Sequence, residues 1–317
     1  MEYPASSPEW GNFGLESPLR GGLNMKRTGV FYHDVCGKEA YSSLAMGVEE
    51  GFQSIKKEGI FSKPNVTWFE SEPATEKEIA RLHSQEWIDH VKKTQWWRVS
   101  LYSVGGMIGA TEKVLKGEID NALVIAGVGG HHAHRDNAWG GCYFNVISLG
   151  IPHARAKLLA KRFAIVDTDT HHADGVRDLF QNDEDVLHIC FCDSFSWVYN
   201  ADDRMESKTK HCFPHGSSDE EEVGNVEREV PERIKEFKPE LIFWLCGMDT
   251  HRDSYGTAAL TENAYPGLAK IIKQTADEYC GGKLIVKTCC NTRPHATRYI
   301  IPRIVDCLAE LGKYSEE

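Results

Sequence analysis

The sequence predicts an α/β fold of three layers, with a mostly parallel central sheet between helices. Short apolar runs recur along the chain, and they are continuous rather than alternating, as strands covered on both faces require. Helix-patterned stretches separate several of these runs, which favours parallel crossover units over hairpins. The runs also give way to Gly, Asp, His, Cys or Asn. In a parallel sheet such residues gather along one edge, where ligands bind.

Residues 1–24 are rich in Gly, Pro and Ser and lack periodicity, which predicts a flexible N-terminal extension. Residues 25–317 are expected to form one domain, with no internal repeat and no second hydrophobic core. Residues 29–32 read as the first strand. Residues 75–93 read as a helix with Ile79, Leu82, Trp87 and Val91 on one face and Thr75 as its cap. A second helix is expected over 103–115. Strands follow at 122–126, 163–166, 186–191, 241–246 and 284–286, and helices at 152–161, 229–237 and 262–279. The charged stretch 201–229, centred on Asp219 to Glu222, reads as a solvated loop.

The 317 residues are 41% hydrophobic and 26% charged, ordinary proportions for a globular chain. A formal net charge of −11 argues against a nucleic-acid partner and is compatible with a small cationic substrate. No run of 18 apolar residues and no charged-then-apolar leader stands out, so a cytoplasmic protein without a membrane partner is expected. The ten cysteines form no paired C-x-x-C units, and Cys142, Cys190 and Cys246 lie in or beside apolar or small-residue runs. They read as reduced. Cys190-Phe191-Cys192 reads as too close-spaced and too apolar for a zinc knuckle.

The segment Asp167-Thr168-Asp169-Thr170-His171-His172-Ala173-Asp174-Gly175 follows directly on an apolar run. Burying so many ionisable groups is expensive unless they are paired or hold a metal. In an extended segment Asp167, Asp169 and His171 share a face, and carboxylate plus imidazole suits a divalent ion. His131 and His132 follow the run at 122–126, and Asp249 follows the run at 241–246, so all meet at one sheet edge. Asp169, His171 and Asp249 as ligands leave open positions for water and a substrate oxygen, the mark of a catalytic site. Zinc suits such a site, and the same donors admit Fe2+, Mn2+ or Co2+, so the residues leave the metal's identity open. His131 and His132 would handle protons, oriented by Asp167 and Asp174.

Four motifs carry a family resemblance: Gly130-His131-His132-Ala133, Gly141-Cys142-Tyr143-Phe144-Asn145, Asp167 to Gly175, and Cys246-Gly247-Met248-Asp249. An earlier stretch from Ala74-Thr75 to Leu82-His83-Ser84-Gln85-Glu86-Trp87 adds to it. Together they resemble the histone deacetylase and acetylpolyamine amidohydrolase superfamily, which has the arginase-like α/β fold, from about Met25 onward. The resemblance implies Asp169, His171 and Asp249 as zinc ligands, His132 as general base and His131 as its electrostatic partner. It also implies a structural monovalent cation, such as K+, on backbone oxygens around Asp167 to His171.

The chain departs from that pattern where Gly127-Val128 replaces a Pro-rich approach to the His pair, in a shortened region after Pro214, and at two places in the site itself. The family's Gly-rich turn ends in a Tyr that stabilises the oxyanion, whereas an ungapped match anchored on Ala296-Thr297-Arg298 sets Asn291 there. Losing such a donor costs roughly 3–4 kcal/mol, and Asn291, Arg293 and His295 are the candidate replacements. Gly141 stands where the family has an aromatic wall of the acyl channel. Phe213 is expected to form the other wall, and Trp139 to compensate for Gly141. The expected function is a metal-dependent hydrolase of deacylase or amidohydrolase type, acting on a small amide or acylated amine with His132 as base. A metal-dependent lyase and a non-catalytic acyl or metabolite binder are the alternatives, and oligomer formation is compatible with either.

Overall fold

A computed structural model of the chain describes residues 25–41, 47–193, 206–256, 258–290 and 292–315. Its eight strands, all parallel, are β1 (Thr28–Tyr32), β2 (Val66–Glu70), β3 (Asn121–Val124), β4 (Phe163–Asp167), β5 (Val186–Phe191), β6 (Lys210–Phe213), β7 (Leu241–Gly247) and β8 (Leu284–Cys289). They lie in the order β2-β1-β3-β8-β7-β4-β5-β6. The helices are α1 (Asp34–Lys38), α2 (Val48–Lys57), α3 (Glu76–Ile79), α4 (Gln85–Val91), α5 (Trp97–Leu115), α6 (Val146–Ala156), α7 (Asp174–Phe180), α8 (Asp219–Phe237), α9 (Ala264–Cys280) and α10 (Pro294–Ala309).

The continuous apolar runs are explained by burial on both faces of the sheet. In β4, Ala164 and Val166 pack into a core shared with α2, α8, α9 and α10, while Phe163 and Ile165 enter a second core shared with α4, α5, α6 and α7. Strands of this kind need no polar face, so periodicity cannot mark their sides. Their common direction brings the ends of β3, β8, β7, β4 and β5 to one edge. There Asp167 pairs in register with Leu245 of β7 and Cys190 of β5, while Gly247 pairs with Cys289 of β8.

Capping sets several boundaries that apolar patterning misses. The expected helix over 75–93 is two helices. Thr75 and Glu78 form a reciprocal capping box at the start of α3, and the Ser84 hydroxyl accepts the Trp87 N–H to begin α4 afresh. A side chain that can satisfy an orphan N–H restarts a helix even inside an apolar stripe. The stretch expected to be a solvated loop contains β6 and the first turns of α8. Ser218 caps that helix, and Asp219, Glu220, Glu221 and Glu222 occupy its first turn, where carboxylates oppose the positive end of the helix dipole. Helices α5 and α6 begin at Trp97 and Val146, earlier than their patterns indicated. The proposed extension, residues 1–24, lies outside the described residues. Among the described residues, no helix is long and apolar enough to cross a membrane.

Gly247 ends β7 against the backbone of the next strand. A Cβ built there would stand 2.3 Å from Asp169 Cα, a contact that backbone must move to relieve. Gly247→Ala is therefore expected to destabilise the fold by about 1–3 kcal/mol, the range for overpacking a tight core. Denaturant unfolding of the two proteins measures it, and the loss should come with displacement of Asp169.

Candidate metal centre and proton-handling site

Asp167, Asp169 and Asp249 have no solvent exposure. Asp169 and His171 lie in the turn between β4 and α7, while Asp249 lies on a 3-10 turn, Met248–Thr250, after β7. His171 Nδ1 is 3.0 Å from Asp169 Oδ1 and 2.9 Å from Asp249 Oδ2. Bonds of about 2.0–2.1 Å to a shared ion put ligand atoms about 2.9 Å apart at right angles and about 3.4 Å apart at the tetrahedral angle. The spacing thus suits three ligands to one divalent cation.

The state of the carboxylate oxygens agrees. Asp169 Oδ2 is fully buried and accepts no hydrogen bond, and Asp249 Oδ2 has only the His171 ring nitrogen, off the line of one. The other oxygens are occupied: Asp169 Oδ1 accepts the His171 N–H and Asp249 Oδ1 accepts the Thr170 N–H. Buried carboxylate oxygens without donors are costly unless a cation meets them. Burial and the neighbouring Asp169 charge push the Asp249 carboxyl up to about 6. Burial works against protonation of His171, but its hydrogen bond to Asp169 and its close approach to Asp249 outweigh that and raise it to about 11. A proton on Nδ1 and a divalent ion answer the same charge deficit, so binding the ion displaces the proton.

The two imidazoles at 131 and 132 are driven in opposite directions. His131 Nδ1 lies 3.1 Å from Asp167 Oδ2, and its Nε2 lies 3.6 Å from Asp169 Oδ1. Burial lowers its proton affinity, yet the Asp169 and Asp167 charges outweigh burial and raise it to about 10. His132 Nδ1–H donates to Asp174 Oδ1 at 2.6 Å. Burial, followed by the charge of His131, lowers His132 to about 3 despite that carboxylate. The pair therefore comprises one imidazolium and one neutral imidazole whose tautomer a buried carboxylate fixes, the condition a general base requires.

Asp174 anchors more than His132. Its Oδ2 accepts the Trp139 Nε1–H at 2.7 Å and lies 3.2 Å from His134 Nε2. Burial alone would raise its carboxyl, but the hydrogen bonds from His132, His134 and Trp139 hold it well below the usual carboxylate range. Trp139 stacks flat on His132, ring centroids 3.7 Å apart. Gly140 and Gly141 make this possible, with φ of +63° and +74° in the left-handed region. A Cβ at Gly140 would stand 2.8 Å from His132 Cδ2. Gly141 thus belongs to the turn that lays Trp139 over the histidine, and an aromatic residue there would strain that turn.

Other expected site residues lie elsewhere. Phe213 does not wall the cleft: it packs on Phe191 at 5.6 Å and under the Arg233 guanidinium at 4.6 Å, in the core beneath α8. Phe191 and Phe213 are in-register partners of β5 and β6, so both must point to that face. Arg293 and His295 sit at the start of α10 and engage Asp253, with Arg293 Nε donating to its carbonyl and His295 Nε2 3.2 Å from its carboxylate. His295 is 58% exposed, so the pair faces solvent. Asn291 lies outside the described residues. Of the backbone oxygens expected to hold a monovalent cation, the Asp169 carbonyl accepts a hydrogen bond from His215 at 2.8 Å. Glu222 lies 3.0 Å from the other nitrogen of His215; burial opposes its protonation, but Glu222 outweighs that and raises it to about 9.

Sequence reasoning missed Tyr255, Cys289, Cys290 and His215. Cys289 comes close to His131 and Asp169, and Cys290 to Asp169 and Asp249. Tyr255, six residues beyond Asp249, sets its ring 6.2 Å from that of His171. The residue is half-exposed, and its phenol feels the nearby Cys290, Asp249 and Asp169. Burial, then those groups, push the phenol up, so it stays protonated and able to donate. A Tyr six residues past a strand-end Asp was the available signal.

An all-parallel sheet with buried acid and imidazole groups at its carboxyl edge defines a class of α/β enzyme-like sites. Residues 46–288 match the histone deacetylase domain family, and the chain belongs to that family. It is 26% identical over 243 residues to a histone deacetylase-like amidohydrolase of Pseudomonas aeruginosa, covering 68% of this chain and 63% of that protein. It is 25% identical over 285 residues to a protein of Archaeoglobus fulgidus named "Probable deacetylase", covering 81% and 79%. The solved HDA15 HD domain superposes with a TM-score of 0.80 at 18% identity over 90% of each chain, a likeness of fold.

His83 holds the loop that carries Trp139. Its Nδ1–H donates to the His134 carbonyl and its Nε2 accepts the Asn145 N–H, at 2.8 and 2.9 Å. Burial lowers its pKa to about 4, so a neutral ring is built in. Because the folded value lies below the unfolded one, this stabilisation is complete above about pH 6.5 and is lost as pH falls towards about 4. The stability of the wild type should fall more steeply across that window than that of His83→Gln, by up to about 3 kcal/mol. Chemical denaturation at stepped pH values provides the comparison.

Proposed function

We propose that the protein is a metal-dependent deacylase that hydrolyses a small N-acetylated amine. The observation that carries this is the meeting of Asp169, His171 and Asp249 around unsatisfied buried carboxylate oxygens, beside a His132 kept neutral by its surroundings. Membership of the histone deacetylase family supports the reaction class. Support for a small amine comes from the net charge of −11 and from a mouse relative named polyamine deacetylase, 30% identical over 166 residues but matched over only 22% of its own length.

A divalent ion, zinc by preference for this donor set, would polarise the amide carbonyl and acidify a water when bound between the three ligands. His132 takes the proton from the attacking water through Nε2, because its Nδ1–H is committed to Asp174. It then returns that proton to the departing amine. His131, held charged by Asp167 and Asp169, offsets the negative charge that develops beside it. Tyr255 donates a hydrogen bond to the carbonyl oxygen as it becomes an oxyanion, the task an extra donor performs in acyl transfer. Trp139 excludes water from one side of His132 and stiffens its ring.

Asp169→Asn should abolish turnover together with metal binding at the Asp169, His171 and Asp249 site, as read by the loss of about one metal equivalent per chain and by release of acetate from N-acetylated amines. Full turnover by that variant would end the proposal. Tyr255→Phe should lower kcat by about a hundredfold to a thousandfold with little change in KM. Steady-state kinetics on the same substrate decides between an oxyanion donor and a mere wall of the cleft.

A further inference from the structure

On the far side of the His171 turn, four side chains that the reaction does not use converge: His172, Cys190, Cys192 and Cys212. Strand geometry brings them together. Cys190 and Cys212 are in-register partners on the parallel strands β5 and β6, so their side chains share a face. Cys192 follows Cys190 by two residues and falls on that same face. His172 enters from the turn after β4 and aims Nδ1 at all three sulfurs. The close spacing and apolar setting that counted against a zinc knuckle at Cys190-Phe191-Cys192 place both cysteines on one face of a buried strand end.

We propose that His172, Cys190, Cys192 and Cys212 bind a structural zinc ion in a tetrahedral Cys3His site, separate from the catalytic centre. Bonds of about 2.3 Å to sulfur and about 2.05 Å to nitrogen, at the tetrahedral angle, put each sulfur about 3.6 Å from the nitrogen. The observed separations from His172 Nδ1 are 3.9 Å to Cys190, 3.6 Å to Cys192 and 3.5 Å to Cys212. All four ligand atoms lie within 4.8 Å of one another. Three thiolates and one divalent ion leave a single negative charge. The buried guanidinium of Arg177 supplies its counter-charge, with NH2 donating to Cys212 Sγ at 2.9 Å.

Such an ion would tie the ends of β5 and β6 to the turn that carries Asp169 and His171. Four protein ligands leave no open position, as expected of a structural rather than catalytic zinc.

The test begins with zinc-edge X-ray absorption on the wild-type protein, which should show sulfur scatterers at about 2.3 Å. Asp169→Asn should then keep about one equivalent of zinc, and after exchange with Co2+ it should show an intense thiolate-to-metal band in the near ultraviolet. The double variant Cys190→Ser/Cys212→Ser should lose that band and at least nine-tenths of that equivalent when placed in the Asp169→Asn background. A zinc edge with only oxygen and nitrogen neighbours would overturn the proposal, as would a disulfide among these cysteines in the purified protein. Because the readout is sulfur ligation where Asp169 is absent, the result is independent of whether the chain is a deacylase.

Discussion

Three carboxylates without solvent, at the ends of two neighbouring strands, set the terms for everything around them. Asp167, Asp169 and Asp249 would repel one another if left alone in a medium of low polarity. The fold answers with His131, charged by Asp167 and Asp169, and with the His171 ring between Asp169 and Asp249. His215 adds a donor to the Asp169 carbonyl. These contacts leave Asp169 Oδ2 and Asp249 Oδ2 without a hydrogen-bond donor, a deficit that the charge of a divalent cation would balance.

The same charge arrangement separates the two adjacent histidines. His131 faces carboxylates with both nitrogens, whereas His132 faces one carboxylate, an indole ring and the charge of its neighbour. Identical residues next to each other in sequence therefore hold opposite protonation states. A proton acceptor beside a fixed positive charge follows from that asymmetry and needs no further group. Trp139 contributes twice, since its ring covers His132 while its N–H loads the carboxylate that orients the same histidine. The Gly140-Gly141 turn is the backbone condition for both contacts.

The departures from the family pattern look different once neighbours are known. A missing aromatic residue at Gly141 reads as a gap in the channel, yet the chain uses the two glycines to bring Trp139 across. A missing Tyr after β8 reads as a lost donor, yet Tyr255 approaches from the loop beyond β7. Arg293 and His295, close in sequence to the missing residue, are held on Asp253 instead. Proximity along the chain is a poor guide at a site assembled from strand ends, because each strand contributes only one or two residues before the chain turns away.

Local pattern was enough to read the α/β class, most of the buried strands and the gathering of Asp169, His171 and Asp249 at one sheet edge, since unbroken apolar runs and strand-end polar residues are properties of short segments. The family, too, was readable from motifs of four to nine residues. Boundaries such as the break between α3 and α4 depended on a single hydroxyl competing for an N–H, which periodicity does not register. The direction of Phe213, the approach of Tyr255 and the meeting of Cys190, Cys192 and Cys212 with His172 belonged to tertiary structure. Phe213 and the pairing of Cys190 with Cys212 are fixed by the register of β5 on β6, while Tyr255 and His172 reach their places from loops at the sheet edge, and both depend on packing across the whole sheet.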